Sequence, residues 1–368
     1  MTAPITTPIT TPTTAPITTP ITTVDYHTAG EPFRIVTGGV PEIAGSDVLS
    51  RRSTAMAELD DVRRLLCHEP RGHADMYGCF LVPPDDPGAR FGALFWHKDG
   101  FSTACGHGTI ALGVYAVQEG LVEADPDGVT EVVVDVPSGR VKARVRMSGG
   151  RVESVTFVNV PSYVVARDVP VAGTTVDVAY GGAIYASLPA SAVGLSVEPR
   201  HLDALIGHAR RIKAELAGHP AARHPDDERL SGVYGVIFHD QLPDQHPGGG
   251  ADRSDNGGGG DDGGGDDGGG GGGGGVRRQR NVTVFADGEV DRSPCGSGTA
   301  ARMALLHDEG RTGELIHLSI VGSVFTARVA EETDRGVVVE IDGMAYRTGR
   351  HTFELDPADP FRTGFTLR

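Results

Sequence analysis

Two cysteines each begin a short segment that occurs twice in the chain. Residues 105–111 read Cys-Gly-His-Gly-Thr-Ile-Ala and residues 295–301 read Cys-Gly-Ser-Gly-Thr-Ala-Ala, so five of the seven positions are identical. An apolar stretch that is compatible with a helix follows each copy. The repetition predicts a duplicated domain in which Cys105 and Cys295 face each other across one site.

Thiols at helix starts can act as acids and bases. A free thiol has a pKa of about 8.5, and a helix N-terminus or a nearby cation lowers it to about 3.5–7.5. We therefore expect Cys105 and Cys295 to exchange protons near neutral pH. A thiolate on one face of a bound carbon acid would remove the α-proton, and a thiol on the other face would deliver one, which inverts the carbon. The alternative is that both are small buried residues. We keep that interpretation for Cys67 and Cys79, which lie outside the repeat.

The glycines of the repeat predict an anion site. The start of a helix presents backbone N–H groups and the positive end of its dipole to an anion, so two facing starts could hold one carboxylate. Both copies also satisfy G-x-G-x-x-A, the dinucleotide fingerprint. That fingerprint needs a parallel βαβ unit, whereas an antiparallel pattern follows the first copy. Because no metal-ligand spacing is evident either, we expect no dinucleotide, no metal and no other cofactor.

The segments that must position these residues are mostly short strands. Apolar and polar residues alternate over 132–136 and 141–147, and another strand pattern follows at 155–158. Together these segments predict an antiparallel meander. Helical spacing of apolar residues occurs at 59–66 and 202–216. Many antiparallel strands with few helices predict an α+β fold.

Two stretches of biased composition are separate from this fold. Of the 53 glycines, 18 lie in residues 248–275 together with six aspartates, and five prolines recur every four residues within 1–23. Neither stretch has enough apolar surface to offset its ordering entropy. We therefore expect a disordered loop and a disordered tail.

The charge and the cysteine content exclude several classes of protein. A formal net charge of −16 without a basic stripe argues against nucleic acid as a partner. No apolar run approaches the roughly 18 residues needed to cross a membrane. Four cysteines without a CxxC pair or a secretion signal indicate a reducing cytoplasm.

Four motifs, in this order along the chain, resemble the proline racemase family, which includes hydroxyproline 2-epimerases and trans-3-hydroxyproline dehydratases. They are residues 25–32 (DYHTAGEP), 69–76 (EPRGHADM), 105–109 (CGHGT) and 291–299 (DRSPCGSGT). The resemblance implies the diaminopimelate-epimerase-like fold. In that fold two pseudo-symmetric domains each wrap a curved, mostly antiparallel sheet around a central helix, and the active site lies between them. It places residues 24–160 plus 345–368 in the first domain and residues 161–344, with the 248–275 insertion, in the second.

The same resemblance implies a role for each residue of the site. Cys105 and Cys295 would be the two bases. Substrate would be bound, largely through backbone N–H groups at its carboxylate, by Gly106, His107, Gly296 and Ser297. His107 and Asp291 would lie beside the ring nitrogen, where an opposite charge favours the ammonium form.

The resemblance also implies a pocket for the side chain of the substrate, formed by Tyr77, Ser102 and Phe285. Ser102 could hydrogen-bond a ring hydroxyl, whereas Phe285 suits an unsubstituted ring. Five other residues of the first two motifs are expected to be architectural: His27, Glu31, Arg71, His73 and Asp75.

These observations predict a cofactor-independent racemase or 2-epimerase that acts on a small molecule, either proline or hydroxyproline. A homodimer is compatible with the sequence, which does not determine the oligomeric state. Two alternatives remain. One is a trans-3-hydroxy-L-proline dehydratase, which needs a single α-base; the other is a catalytically silent carboxylate-binding protein of the same fold. A cysteine in both copies of the repeat favours inversion, because the dehydratases of the family typically lack one of the pair.

Overall fold

The computed structural model describes residues 19–243 and 276–367. The expected 248–275 loop and residues 1–18 of the expected tail lie outside this part. The helices of the described part are α1 (Val48–Glu58), α2 (Asp60–Cys67), α3 (Gly106–Gln118), α4 (Leu202–Leu216) and α5 (Gly296–Asp308). The strands are β1 (Ile21–Thr28), β2 (Glu31–Gly38), β3 (Tyr77–Val82), β4 (Phe91–His97), β5 (Gly100–Phe101), β6 (Val129–Val136), β7 (Gly139–Ser148), β8 (Arg151–Val158), β9 (Tyr163–Val171), β10 (Thr174–Tyr180), β11 (Ile184–Pro189), β12 (Val233–Leu242), β13 (Arg277–Phe285), β14 (Glu289–Val290), β15 (Leu315–Leu318), β16 (Val324–Thr333), β17 (Gly336–Gly343) and β18 (Ala345–Phe353).

Two helices form the centres around which these strands pack. Helix α3 packs against β1, β2, β6, β7, β8 and β18, and α5 packs against β9, β10, β11, β16 and β17. Both are buried on all sides along most of their length, as expected of helices that lack a polar face. The mixed fold with a strand-rich, mostly antiparallel sheet and central helices is therefore confirmed. Four pairs in the described part are parallel: β2–β3, β4–β6, β11–β12 and β13–β15.

The two groups of strands are joined along β8 and β17, which pair antiparallel from Val155↔Gly343 to Val158↔Glu340. The last strand, β18, returns to pair with β1. These partners support the division into residues 24–160 plus 345–368 and residues 161–344, which we propose as the two domains.

The expected boundary of the N-terminal tail is wrong. The tail was expected to extend to residue 23, but β1 begins at Ile21 and Ile21 is 1 % exposed. Strand β1 pairs on one side with β2 and on the other with β18, where Ile21 lies opposite Phe353. Residues 21–23 have the same Ile-Thr composition as the residues before them, so only these distant partners distinguish strand from tail.

Local patterns elsewhere predicted the elements well. The meander is confirmed as β6, β7 and β8, which pair in sequence. The helical spacings at 59–66 and 202–216 correspond to α2 and α4, whereas α1 was not predicted. No helix in the described ranges is both long enough and apolar enough to span a membrane.

Candidate active site

The N-termini of α3 and α5 meet at the centre of the molecule. Cys105 is the N-cap residue of α3 and Cys295 is the N-cap residue of α5. A Cβ atom added at Gly106 would lie 2.6 Å from the Cα atom of Gly296, and one added at Gly296 would lie 2.6 Å from the Cα atom of Gly106. Since a Cβ atom does not approach a neighbouring atom this closely, only glycine allows the two helix starts to touch.

Both thiols line one small cavity between these helix starts. Its wall is formed by Tyr77, Ala104, Cys105, His107, Tyr185, Tyr234, Phe285, Asp291, Cys295 and Ser297. The two cysteines are each 5 % exposed. The free volume is about 10 Å³, which is room for about one water molecule. A ring-sized ligand therefore requires the walls to move apart.

The Cys105 thiol caps its own helix. Its Sγ accepts a hydrogen bond from the Gly108 N–H at 3.1 Å and lies 3.4 Å from His107 Nε2. Burial nevertheless raises the pKa of this thiol well above its ordinary value, and the nearby Asp291 carboxylate raises the pKa further. The expectation that the helix start lowers the thiol pKa is wrong here, because the loss of hydration outweighs the single N–H contact.

Cys295 lies in a different local geometry. Its φ angle is 64°, in the left-handed region that non-glycine residues rarely adopt and that is frequent at functional sites. Its Sγ lies 4.0 Å from the Tyr185 hydroxyl, which also contacts the Ser297 hydroxyl at 2.6 Å. Burial and the Asp291 carboxylate raise the pKa of the Cys295 thiol too.

Asp291 presents one carboxylate oxygen to the cavity. Its Oδ1 accepts hydrogen bonds from the Ser293 N–H at 2.8 Å and from the Ser293 hydroxyl at 2.7 Å. Its Oδ2 lies 3.7 Å from His107 Nδ1. The carboxylate is thus oriented by the turn that leads into Cys295 and lies between the two repeated segments.

A chain of hydroxyl groups leads from the cavity wall to a backbone carbonyl. The Tyr234 hydroxyl lies 3.1 Å from the Tyr77 hydroxyl, which lies 2.5 Å from Ser102 Oγ, and Ser102 donates to the Ala104 carbonyl at 3.2 Å. The carbonyl can only accept. For all three bonds to exist together, Tyr77 must donate to Ser102 and Tyr234 must donate to Tyr77. The oxygens at the cavity end of the chain therefore act as acceptors.

The sequence profile of a family described as proline racemase matches residues 23–257 and 273–366. The chain belongs to the proline racemase family. It is thus an enzyme of that family, and the resemblance carried by the four motifs is confirmed.

Relatives with similar sequences match almost the full chain. The trans-3-hydroxy-L-proline dehydratase of Bacillus thuringiensis is 40 % identical over 356 residues, which cover 94 % of this chain and 97 % of the relative. The 3-hydroxyproline 2-epimerase of Burkholderia multivorans is 38 % identical over 359 residues, which cover 94 % of this chain and 98 % of the relative.

Solved structures share the fold. A hydroxyproline epimerase from Agrobacterium vitis with bound trans-4-hydroxy-L-proline has a TM-score of 0.81 at 28 % identity, over 95 % of this chain and 96 % of that one. A predicted epimerase from Pseudomonas aeruginosa has a TM-score of 0.53 at 16 % identity, over 91 % of this chain and all of that one. The diaminopimelate-epimerase-like fold is therefore confirmed.

This member of the proline racemase family brings most of its predicted site residues together. Seven line the cavity: Tyr77, Cys105, His107, Phe285, Asp291, Cys295 and Ser297. Gly106 and Gly296 form the contact between the helix starts, and Ser102 lies one hydrogen bond behind Tyr77. Sequence reasoning missed Tyr185 and Tyr234, which belong to β11 and β12. Nothing in the alternation of those strands distinguishes them from ordinary buried aromatics.

One group of side chains in the described ranges has the composition of a metal site. Single ligand atoms of His97, Asp99 and Glu289 all lie within 4.8 Å of one another. However, His97 Nδ1 already accepts the Asp99 N–H at 3.2 Å. Glu289 also interacts electrostatically with the positive charges of Lys98 and Lys213. Burial and the neighbouring Asp99 nevertheless raise the pKa of Glu289, which disfavours the ionised carboxylate that a metal would need, so we assign no metal to this group.

Proposed function

We propose that this enzyme inverts the α-carbon of a hydroxyproline by a two-base mechanism in which Cys105 and Cys295 are the bases. The observation that carries the proposal is that both thiols, each at the start of one of two touching helices, line one cavity. One cysteine, as thiolate, takes the α-proton of the bound amino acid. The other, as thiol, donates a proton to the opposite face, so the protonation states of the pair are exchanged after each turnover.

The helix starts supply the site for the carboxylate. The first backbone N–H groups of a helix have no partner within the helix, and those of α3 and α5 meet at Gly106 and Gly296. N–H groups and positive dipole ends from two helices stabilise the charge that moves onto the carboxylate when the α-proton leaves.

Substrate binding also makes the thiols more acidic. The Asp291 carboxylate is one cause of the raised pKa of both cysteines. The ring ammonium of the substrate, placed against Asp291 Oδ2, would offset this negative charge. The pKa of both thiols would then fall, so the base would form chiefly when substrate is present.

The hydroxyl chain favours a hydroxylated ring over proline. Tyr234 and Tyr77 offer acceptor oxygens to the cavity, and a ring hydroxyl can donate to them. Proline leaves the buried Tyr234 oxygen, the free end of the chain, without a donor, which costs binding free energy. Burial raises the pKa of both phenols, so they keep their protons and stay in this hydrogen-bond pattern.

Dehydration of trans-3-hydroxy-L-proline is the second candidate, because relatives with 38–40 % identity over most of their length carry that name. This reaction needs one α-base and a proton donor for the departing hydroxyl. In the hydroxyl chain each hydroxyl already donates in the direction of the Ala104 carbonyl. This arrangement does not favour the chain as the proton donor to the departing hydroxyl of the substrate.

Incubation in heavy water separates the candidates. An epimerase yields both C2 epimers of the hydroxyproline with deuterium at the α-carbon. A dehydratase yields a cyclic imine, which a borohydride reductant converts to proline. If neither α-deuterium nor imine forms with proline, 3-hydroxyproline or 4-hydroxyproline, the proposal is wrong.

A cysteine variant tests the two-base step. Cys295→Ser should abolish inversion, while Cys105 still exchanges the α-proton from its own face. Cys79→Ser is the matched control, because Cys79 is buried outside the cavity. Full inversion by Cys295→Ser would exclude the two-base mechanism.

A further inference from the structure

Glu31 lies at the tip of a hairpin that contacts both α3 and the segment that leads into Cys295. A two-residue turn, with positive φ angles at Ala29 and Gly30, joins β1 to β2 and brings Thr28 opposite Glu31. The Thr28 hydroxyl donates to the His107 carbonyl at 2.9 Å. Across the turn, a Cβ atom at Gly30 would lie 3.7 Å from Arg292 Cβ. The hairpin thus lies between α3 and the segment that precedes Cys295.

Two carboxylates of the first domain hold that segment through its backbone. Glu31 Oε2 accepts the Arg292 N–H at 2.8 Å, and Asp75 Oδ1 accepts the Val290 N–H at 3.2 Å. Asp75 Oδ2 also binds the Arg292 guanidinium at 2.8 Å. Asp291 lies between Val290 and Arg292 in the chain, and its N–H donates to the Thr283 carbonyl instead. The alternation leaves its carboxylate facing the cavity.

The position of Glu31 is energetically unfavourable for a carboxyl group. Its side chain is fully buried, and Oε1 has no hydrogen-bond partner in the described part. Burying a carboxyl group with one oxygen unpaired lowers the stability of the fold. The contact that its other oxygen makes with Arg292 is therefore the feature that accounts for its position.

We infer that Glu31 is a positioning residue that acts through Asp291: its contact with the Arg292 N–H fixes the 290–292 segment so that Asp291 faces the ring ammonium of the substrate. This inference rests on the proposed function, because it takes Asp291 as the ammonium site. Glu31 itself does not line the cavity.

The test compares a ligand that has the ammonium with one that lacks it. We would measure KM for trans-3-hydroxy-L-proline, from the rate of α-proton loss, and the inhibition constant of tetrahydrofuran-2-carboxylate in the same assay. In Glu31→Ala we expect KM to rise about tenfold or more, since a hydrogen-bonded charged contact is weakened. The inhibition constant should stay within about twofold, because the ether oxygen makes no ion pair with Asp291.

Further variants separate positioning from general damage. Glu31→Gln keeps an oxygen acceptor for the Arg292 N–H and should retain the wild-type ratio of the two constants. Glu31→Asp, whose carboxylate is one methylene shorter, should behave like Glu31→Ala and replaces it if that variant does not fold. Asp135→Asn is the control, because Asp135 is also buried but pairs with Arg140 and does not line the cavity.

The outcomes are distinguishable. A parallel change in both constants in Glu31→Ala, or a loss of discrimination in Glu31→Gln as large as in Glu31→Ala, would overturn the positioning role. If wild-type enzyme removes no α-proton from any of the prolines, the proposed function fails instead, and this inference fails with it.

Discussion

A single methyl group at the contact between the helix starts should disable the enzyme. In Gly106→Ala the new Cβ atom would lie 2.6 Å from the Cα atom of Gly296. Because ordinary contacts begin near 3.4 Å, the two helices must separate by about 1 Å. A displacement of about 1 Å can reduce a rate about 100-fold, which corresponds to about 2.7 kcal/mol in the activation free energy.

The assay is exchange of the α-proton in heavy water, followed by NMR for each epimer and paired with thermal unfolding. Gly296→Ala should lose activity to the same extent, because the contact is mutual. Gly207→Ala is the control: Gly207 lies in α4 with no atom within 4 Å of an added Cβ, so activity should not change and stability should rise by up to about 1 kcal/mol. Activity of Gly106→Ala within about twofold of wild type would refute the reasoning.

Three further predictions follow from other contacts. Since burial raises the pKa of the Cys105 and Cys295 thiols, the thiolate forms as pH rises, and kcat/KM should still be rising at about pH 9, above the ordinary thiol pKa of about 8.5; a flat profile, or a plateau reached below that pH, would contradict this. Tyr234→Phe should reduce the preference for hydroxyproline over proline in kcat/KM by about tenfold, and an unchanged ratio would exclude the acceptor role. Arg34→Met leaves the buried Asp25 without its 2.8 Å ion pair and should cost about 3–5 kcal/mol in urea unfolding; a loss below about 1 kcal/mol would contradict that.

The parts of the fold that the sequence predicted are those set by local pattern. Alternation of side chains predicted the meander of β6 to β8, and helical spacing predicted α4, because each pattern needs only neighbouring residues. The repeat also predicted the meeting of α3 and α5, since two copies of one unit suggest an arrangement with one shared site.

The features of the site that the local sequence pattern did not predict depend on residues that are distant in the chain. Tyr185 and Tyr234 join the cavity through the register of β11 and β12, which are parallel neighbours. The raised thiol pKa values reflect burial and the Asp291 charge, neither of which a helix start reveals. Glu31 was expected to be architectural, and its contact with Arg292 joins residues more than 250 positions apart.

The pairing of β1 with β18 has a consequence for how the chain folds during synthesis. One edge of β1 has no partner until β18 has been made, and Ile21 then pairs with Phe353. At about 5–20 residues per second, the ribosome needs on the order of tens of seconds to produce that partner. During this delay the strand edge is open to pairing with other chains. The nascent protein therefore depends on slow, long-range closure, and we expect chaperone supply to limit its yield more than that of a protein with local strand pairs.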